Sequence, residues 1–257
     1  MSTLPTLAKN AAKQACLFAR DMLAPFSNAP EVAILCYHSI SDNSHSITVR
    51  PDAFDAHLSF LKRMGHSFVS LEDIMAWHGA GKELPPRAVA LTFDDGYADF
   101  ETAALPILKK YQAPATLFVM SEPESTGWHL DGGPAFLTQE AIARLSEEPL
   151  IEVGYHSRTH PNLDELPEYN LPAEVTPPPG MRFFAYPGGH HSRDAVRALE
   201  RAGYAAAFTI RPTLVSRDSD PYLMPRTVVL KGMRPWQLRF ATTRASRWYM
   251  ALRGKLI

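Results

Sequence analysis

Thr92-Phe93-Asp94-Asp95-Gly96 places two adjacent carboxylates just after an apolar run, Ala88-Val89-Ala90-Leu91. That run reads as a buried strand of a parallel sheet, ended by a glycine that tolerates any backbone geometry. Two neighbouring carboxylates there repel each other and are costly to desolvate, so a cation, a shared proton or an arginine must offset them. His156-Ser157-Arg158-Thr159-His160-Pro161 adds two imidazoles four residues apart. On one helical turn both would point the same way, with Pro161 preventing its extension. Two histidines and a carboxylate are a common ligand set for zinc or another divalent metal, with a position left open for water. A lone Asp-Asp-Gly is commonly a solvated turn and a lone histidine pair a surface feature. Their combination at strand ends points to a metal site.

The surrounding elements must bring these groups together. Residues 32–36 read as a strand ended by Tyr37-His38-Ser39. Pro51 opens a helix with Phe54, Leu58 and Leu61 on one face, and Gly65 closes it. A short strand at 68–69 and a helix at 71–78 lead to the central strand. Beyond it come a helix at 103–111 with a kink at Pro106, a strand at 115–119, and a helix capped by Thr138 running to 147. Strands follow at 151–155, 183–186, 206–209 and 227–229, with a helix at 193–201. The prolines of 161–180 predict an irregular loop with little helix. Strands alternating with helices specify an α/β fold with a parallel sheet, as a barrel or a doubly wound layer, whose chemistry gathers at the carboxyl ends of the strands. His38, Asp94, Asp95, His156 and Pro187-Gly188 each lie at such an end.

At 257 residues and 46% hydrophobic content, the chain can bury a core of barrel size as one domain. A net charge of −1 gives no case for nucleic acid. Cys16 and Cys36 are too few for a disulfide framework or a cysteine zinc site. No run approaches the ~18 apolar residues of a membrane span. Residues 1–29 carry an amphipathic helix with Leu7, Ala11, Ala15, Phe18 and Met22 on one face and Lys9, Lys13 and Arg20 opposite. Such a helix packs on its own domain or lies on a membrane surface. The interrupting cations leave no signal-peptide core, so a reducing, cytoplasmic home is the expectation.

In order and rough spacing, Thr92-Phe93-Asp94-Asp95-Gly96, His156-Ser157-x-x-His160 and Arg182-x-x-x-x-Pro187 resemble the first three motifs of the NodB-type polysaccharide deacetylases (carbohydrate esterase family 4). Leu35-Cys36-Tyr37-His38, Ala104-Leu105-Pro106-Ile107-Leu108, Pro114-Ala115-Thr116-Leu117-Phe118 and Phe184-Ala185-Tyr186-Pro187 agree as well, so the likeness covers roughly residues 30–230. The early Tyr37-His38 pair is similar to the bacterial poly-N-acetylglucosamine deacetylases. The resemblance implies a distorted (β/α) barrel over 30–231 that hydrolyses N-acetyl groups of an amino-sugar polysaccharide, oligosaccharide or lipid-linked precursor. Asp95, His156 and His160 would hold the metal, zinc first, with cobalt or nickel as alternatives. Asp94 would be the general base, paired with Arg182, and His38 the general acid. The Gly188 N–H would face the oxyanion, and Tyr186, Pro187 and Trp128 would meet the saccharide. His129 would sit beside Trp128, whereas His190 and His191 read as solvated loop residues.

Two features depart from the pattern. The interval after His160 is short and proline-rich where relatives carry a long helix, and Gly188 stands where many have tyrosine. The segment 232–257 belongs to a stretch, from Pro221 onward, with no acidic residue. Arg226, Lys231, Arg234, Arg239, Arg244, Arg247, Arg253 and Lys255 interleave there with Trp236, Phe240, Trp248 and Tyr249. It reads either as a docked terminal helix or as a peripheral contact for an anionic membrane or polysaccharide. Rival functions are hydrolysis of another C–N bond (a ureide or linear amide) and metal-free saccharide binding. Phosphoryl transfer lacks its Gly-rich loop.

Overall fold

Among the described residues eight parallel strands curl into an open barrel. Numbered along the chain, the seventh, sixth, fifth, fourth, third, first and eighth lie side by side, and the short second is added to the start of the third. The computed structural model describes residues 31–126 and 133–243. The helix expected at 6–24, Trp128 and His129, and the basic residues from 244 onward lie outside them. The strands are β1 (Ala33–Tyr37), β2 (Ser67–Phe68), β3 (Ala88–Phe93), β4 (Ala115–Val119), β5 (Ile151–Tyr155), β6 (Phe183–Ala185), β7 (Ala206–Phe208) and β8 (Thr227–Val228). No helix among the described residues is long and apolar enough to cross a membrane.

Both faces of β1, β3 and β4 are buried, which is why they read as unbroken apolar runs. On the outer face Leu35, Leu91 and Phe93 meet Phe54, Leu58 and Leu61 of helix α1 (Pro51–Arg63). On the inner face Ile34, Ala90, Phe118, Phe183 and Phe208 fill the barrel. Gly154 faces that interior, where a Cβ would lie 2.6 Å from the Phe118 ring and 3.1 Å from the Phe183 carbonyl oxygen. Only a glycine admits so close an approach.

The remaining helices are α2 (Leu71–Ala80), α3 (Leu105–Tyr111), α4 (Gln139–Ser146), α5 (Leu171–Val175), α6 (Arg193–Ala202) and α7 (Leu238–Ala241). The discontinuity expected near Pro106 is a π-turn at Phe100–Ala104, where Leu105 N–H bonds the Phe100 carbonyl. Proline cannot donate the next bond, so the irregular turn ends there. Thr138 caps α4 as expected, accepting from Ala141 N–H. The proline-rich interval is irregular apart from a 3-10 turn at Glu168–Asn170 and the single short helix α5.

The open edge of the barrel is closed by the chain just before β8. Met224 bridges Phe208 of β7, while Leu35 and Cys36 of β1 pair with Thr227 and Val228. Arg226 lies between these two attachments. Beyond β8, α7 docks through Leu238 and Ala241, leaving Arg234, Trp236 and Arg239 exposed.

His57 of α1 ties the helix layer to this last segment. Its Nε2 bonds the Met233 carbonyl at 2.7 Å and its Nδ1 accepts from Tyr37 OH at 3.3 Å. Burial lowers its pKa, the Met233 bond opposing only in part. The folded protein therefore holds His57 neutral while the unfolded chain takes up a proton below pH ~6.5. Its stability is full above that pH and declines as the pH falls through it. Urea unfolding at pH 7.5 and 5.5 should show the wild type losing about 1 kcal/mol more than His57→Gln. Equal losses would remove His57 as a contributor.

Candidate active site

The two-residue period of a strand decides which groups enter the barrel mouth. Cys36 and His38 continue the inner face of β1, Thr92 and Asp94 that of β3, and Gly154 and His156 that of β5. Alternation would turn Asp95 outward. Its left-handed backbone, φ 73°, breaks the period and brings it back beside Asp94. Both carboxylates are buried, each 2% exposed.

Arg226 answers the charge of Asp94. Nη1 and Nη2 donate to Oδ1 and Oδ2, each at 2.7 Å, a bidentate fork. Nη1 also reaches Thr92 Oγ1, Nε donates to the Thr209 carbonyl, and the guanidinium lies over the Phe118 ring. Cys36 Sγ donates to Asp94 Oδ2 at 3.3 Å. Burial opposes ionisation of Asp94, but Arg226, with His156 and His38, outweighs it and holds the pKa below the usual carboxylate range.

Asp95 has a different environment. Its Oδ1 lies 3.2 Å from His156 Nε2 and 3.4 Å from His160 Nε2, yet neither carboxylate oxygen makes a hydrogen bond. His156 Nδ1 donates to the Ala185 carbonyl at 2.8 Å, so in the neutral ring Nε2 presents a lone pair to Asp95. Burial works against charge on His156, but Asp94 and Asp95 raise its pKa, so the site favours added positive charge. The three donors lie within 4.8 Å of one another. Two imidazole nitrogens and an unbonded carboxylate facing one point fit a divalent cation.

The two histidines do not share a helical turn. Residues 156–160 form a loop in which Ser157 and His160 are both left-handed, with φ 69° and 62°. The rings nonetheless converge, their centroids 5.0 Å apart. His38 also faces the site: one of its donor atoms lies within 4.8 Å of ligand atoms of Asp94 and Cys36. Burial lowers its pKa against the opposing pull of Asp95 and Asp94.

Residues 81–207 match the family model for polysaccharide deacetylase. YxkH of Bacillus subtilis (strain 168), whose name places it provisionally in that family, is 28% identical over 212 residues, 79% of this chain and 73% of its own. A Staphylococcus epidermidis (strain RP62A) poly-beta-1,6-N-acetyl-D-glucosamine N-deacetylase is 26% identical over 205 residues, 71% of this chain and 68% of that protein. The solved Streptococcus pyogenes deacetylase PplD, in complex with acetate, superposes with a TM-score of 0.73 at 25% identity, covering 84% of this chain and 99% of that one. Residues 81–207 are a polysaccharide deacetylase domain. The chain is thus a hydrolase acting on carbon–nitrogen bonds.

In this deacetylase Arg182 does not pair with Asp94. It precedes β6 and so sits at the amino end of the barrel, opposite the carboxylates, where it is exposed and bonds Glu72 at 2.9 Å. Its expected role falls to Arg226, which the sequence reading grouped with the basic tail. The available signal was a lone cation two residues before Val228, on the inner face of the strand that pairs with β1. Tyr186 is not a saccharide contact either. Alternation turns it into the outer cluster beside Phe184 and Tyr204, and its hydroxyl donates to the Tyr222 carbonyl. Pro187 is buried in the turn after β6. Gly188, φ 57°, lies in the same turn, so a residue with a side chain would be strained there, and its Cβ would meet the exposed His190 ring at 2.8 Å. His190 is half exposed and pairs with Asp164, while His191 lies against the Tyr186 ring.

Proposed function

We propose that this deacetylase removes N-acetyl groups from an amino-sugar polymer or oligomer in a reaction that depends on a divalent metal, zinc first, held by Asp95, His156 and His160. The observation that carries the reading is the buried, unbonded Asp95 carboxylate facing two imidazole nitrogens beside an arginine-clamped Asp94. A bound divalent cation supplies a water acidic enough to deprotonate near neutral pH and draws charge from the acetamide carbonyl.

The protein's own groups do the rest. Asp94, kept ionised by Arg226, accepts the proton of the water that attacks the carbonyl carbon. The Gly188 N–H is assigned to the oxygen that becomes negative in that addition, a donor typically worth ~3–4 kcal/mol. His38 is assigned the proton that goes to the departing nitrogen, because an amine leaves only once protonated. C–N cleavage then yields acetate and the free amino sugar.

Acetate release from N-acetylglucosamine oligomers tests this, using chelated protein reloaded with Zn²⁺, Co²⁺ or Ni²⁺. Metal should restore activity, and Asp94→Asn should lower it by roughly 10²–10⁴-fold while still binding metal. Tight binding of one metal without acetate release would shift the substrate to another C–N bond. Neither binding nor release would favour a saccharide-binding role.

A further inference from the structure

We propose that Glu174 is the positioning residue for the metal-ligand loop, setting how tightly His160 is presented; this rests on the reading of Asp95, His156 and His160 as a metal site. Glu174 comes from α5 in the proline-rich interval and is 6% exposed. Its Oε2 accepts from the backbone N–H groups of Arg158 and Thr159 at 3.2 and 3.0 Å. Its Oε1 accepts from Thr159 Oγ1 at 3.0 Å and from the Arg158 guanidinium at 3.5 Å. The Glu174 carbonyl takes a further bond from Arg158 N–H, at 3.1 Å. One side chain thus organises the middle of the loop.

The two histidines depend on it unequally. His156 is fixed by the sheet, its N–H on the Val119 carbonyl and its Nδ1 on the Ala185 carbonyl. His160 lies beyond the Glu174 contacts, between two left-handed residues' worth of backbone, Ser157 and itself. Such conformations cost energy in non-glycine residues and persist only where the surroundings hold them. One restraint is local: Ser157 Oγ accepts from His160 N–H at 2.9 Å. The other is Glu174, which is itself braced because Leu171 and Val175 are buried in the outer cluster and Tyr204 OH donates to the Val175 carbonyl. Without the carboxylate, Thr159 loses the acceptor of both its N–H and its hydroxyl, Arg158 N–H keeps only the Glu174 carbonyl, and the loop relaxes, carrying His160 away from Asp95. Groups that orient metal ligands typically change affinity by about 10- to 100-fold.

The test is Zn²⁺ affinity of the purified full chain, by competition with a chromophoric chelator, beside amide hydrogen exchange on the metal-free protein. Glu174→Ala should weaken Zn²⁺ binding at least tenfold and speed exchange at Thr159 while leaving His156 unchanged. Glu174→Gln keeps an acceptor oxygen for both amides and should restore affinity to within a few-fold of wild type. Leu145→Ala, a cavity in α4 outside the loop and its brace, should lower the melting temperature without changing Zn²⁺ affinity. If Glu174→Ala does not fold, Glu174→Asp, one methylene too short to reach the amides, carries the same expectation. Wild-type affinity in Glu174→Ala or Glu174→Asp overturns the proposal, as does an equal loss in Leu145→Ala. A wild type that binds no Zn²⁺ overturns the metal reading, and this proposal with it.

Discussion

Arg226→Met is expected to be the most damaging single change away from the metal ligands. Arg226 is fully buried and holds both oxygens of Asp94. Removing one member of a buried ion pair leaves the other uncompensated and typically costs 3–5 kcal/mol or so, roughly a third or more of a domain's stability. Asp94 would recover neutrality by taking a proton, and a protonated base cannot accept another, so the rate should fall by roughly 10²-fold or more. Arg226→Lys keeps a charge but loses the planar fork, and should fall between the two. The double variant Arg226→Met with Asp94→Leu should regain much of the stability, since apolar replacement of a whole buried pair is often neutral. It should remain inactive. Arg182→Gln, at the exposed end of the barrel, should stay within ~0.5 kcal/mol of wild type with an unchanged rate. Urea titration and initial rates measure all four, and a fully active, fully stable Arg226→Met would refute the assignment.

Asp95→Asn should separate binding from folding. Its carboxylate is buried without hydrogen bonds next to a second carboxylate, an arrangement that serves a cation and burdens the metal-free chain. The chelated variant should melt no lower than chelated wild type. Saturating Zn²⁺ should then stabilise the wild type, by ~4 kcal/mol at a thousandfold excess over its dissociation constant, and leave Asp95→Asn unmoved. Thermal unfolding with and without Zn²⁺ reads both effects. An equal zinc-induced rise in the two proteins would remove Asp95 from the ligand set.

Much of this arrangement was legible because strand ends announce themselves. Apolar runs stopped by polar or glycine residues located β1, β3, β4 and β5 within a residue or two, and with them His38, Asp94, Asp95 and His156. The short β2, β6, β7 and β8 were placed within a residue as well, because polar, glycine or proline residues stand close to the ends of each. The partner of Asp94 was misplaced because Arg182 came from the family resemblance, although its place just before a strand already put it at the amino end of the barrel. Arg182 begins β6 and so faces the wrong end; Arg226 reaches the right one from 132 positions away. Tyr186 was misassigned by one step of the same alternation. The loop of 156–160 was considered only as one conditional helical turn, because a four-residue spacing suits that, whereas its left-handed backbone is accompanied by the Glu174 bonds, a contact no local pattern encodes. Glu174 itself was hidden among prolines that predicted only irregularity.

The seam between β7 and β1 ties competence to the order of synthesis. Asp94 is among the earlier groups to leave the ribosome, but the arginine that secures it sits in the strip that closes the barrel, next to Met224 on one edge and Thr227 on the other. A nascent chain that has already folded β1 to β7 still lacks its clamped base. Hydrolytic power therefore arrives late and all at once, when the final strand docks, and a local peeling of that strand in the finished protein would switch it off without disturbing the rest of the barrel.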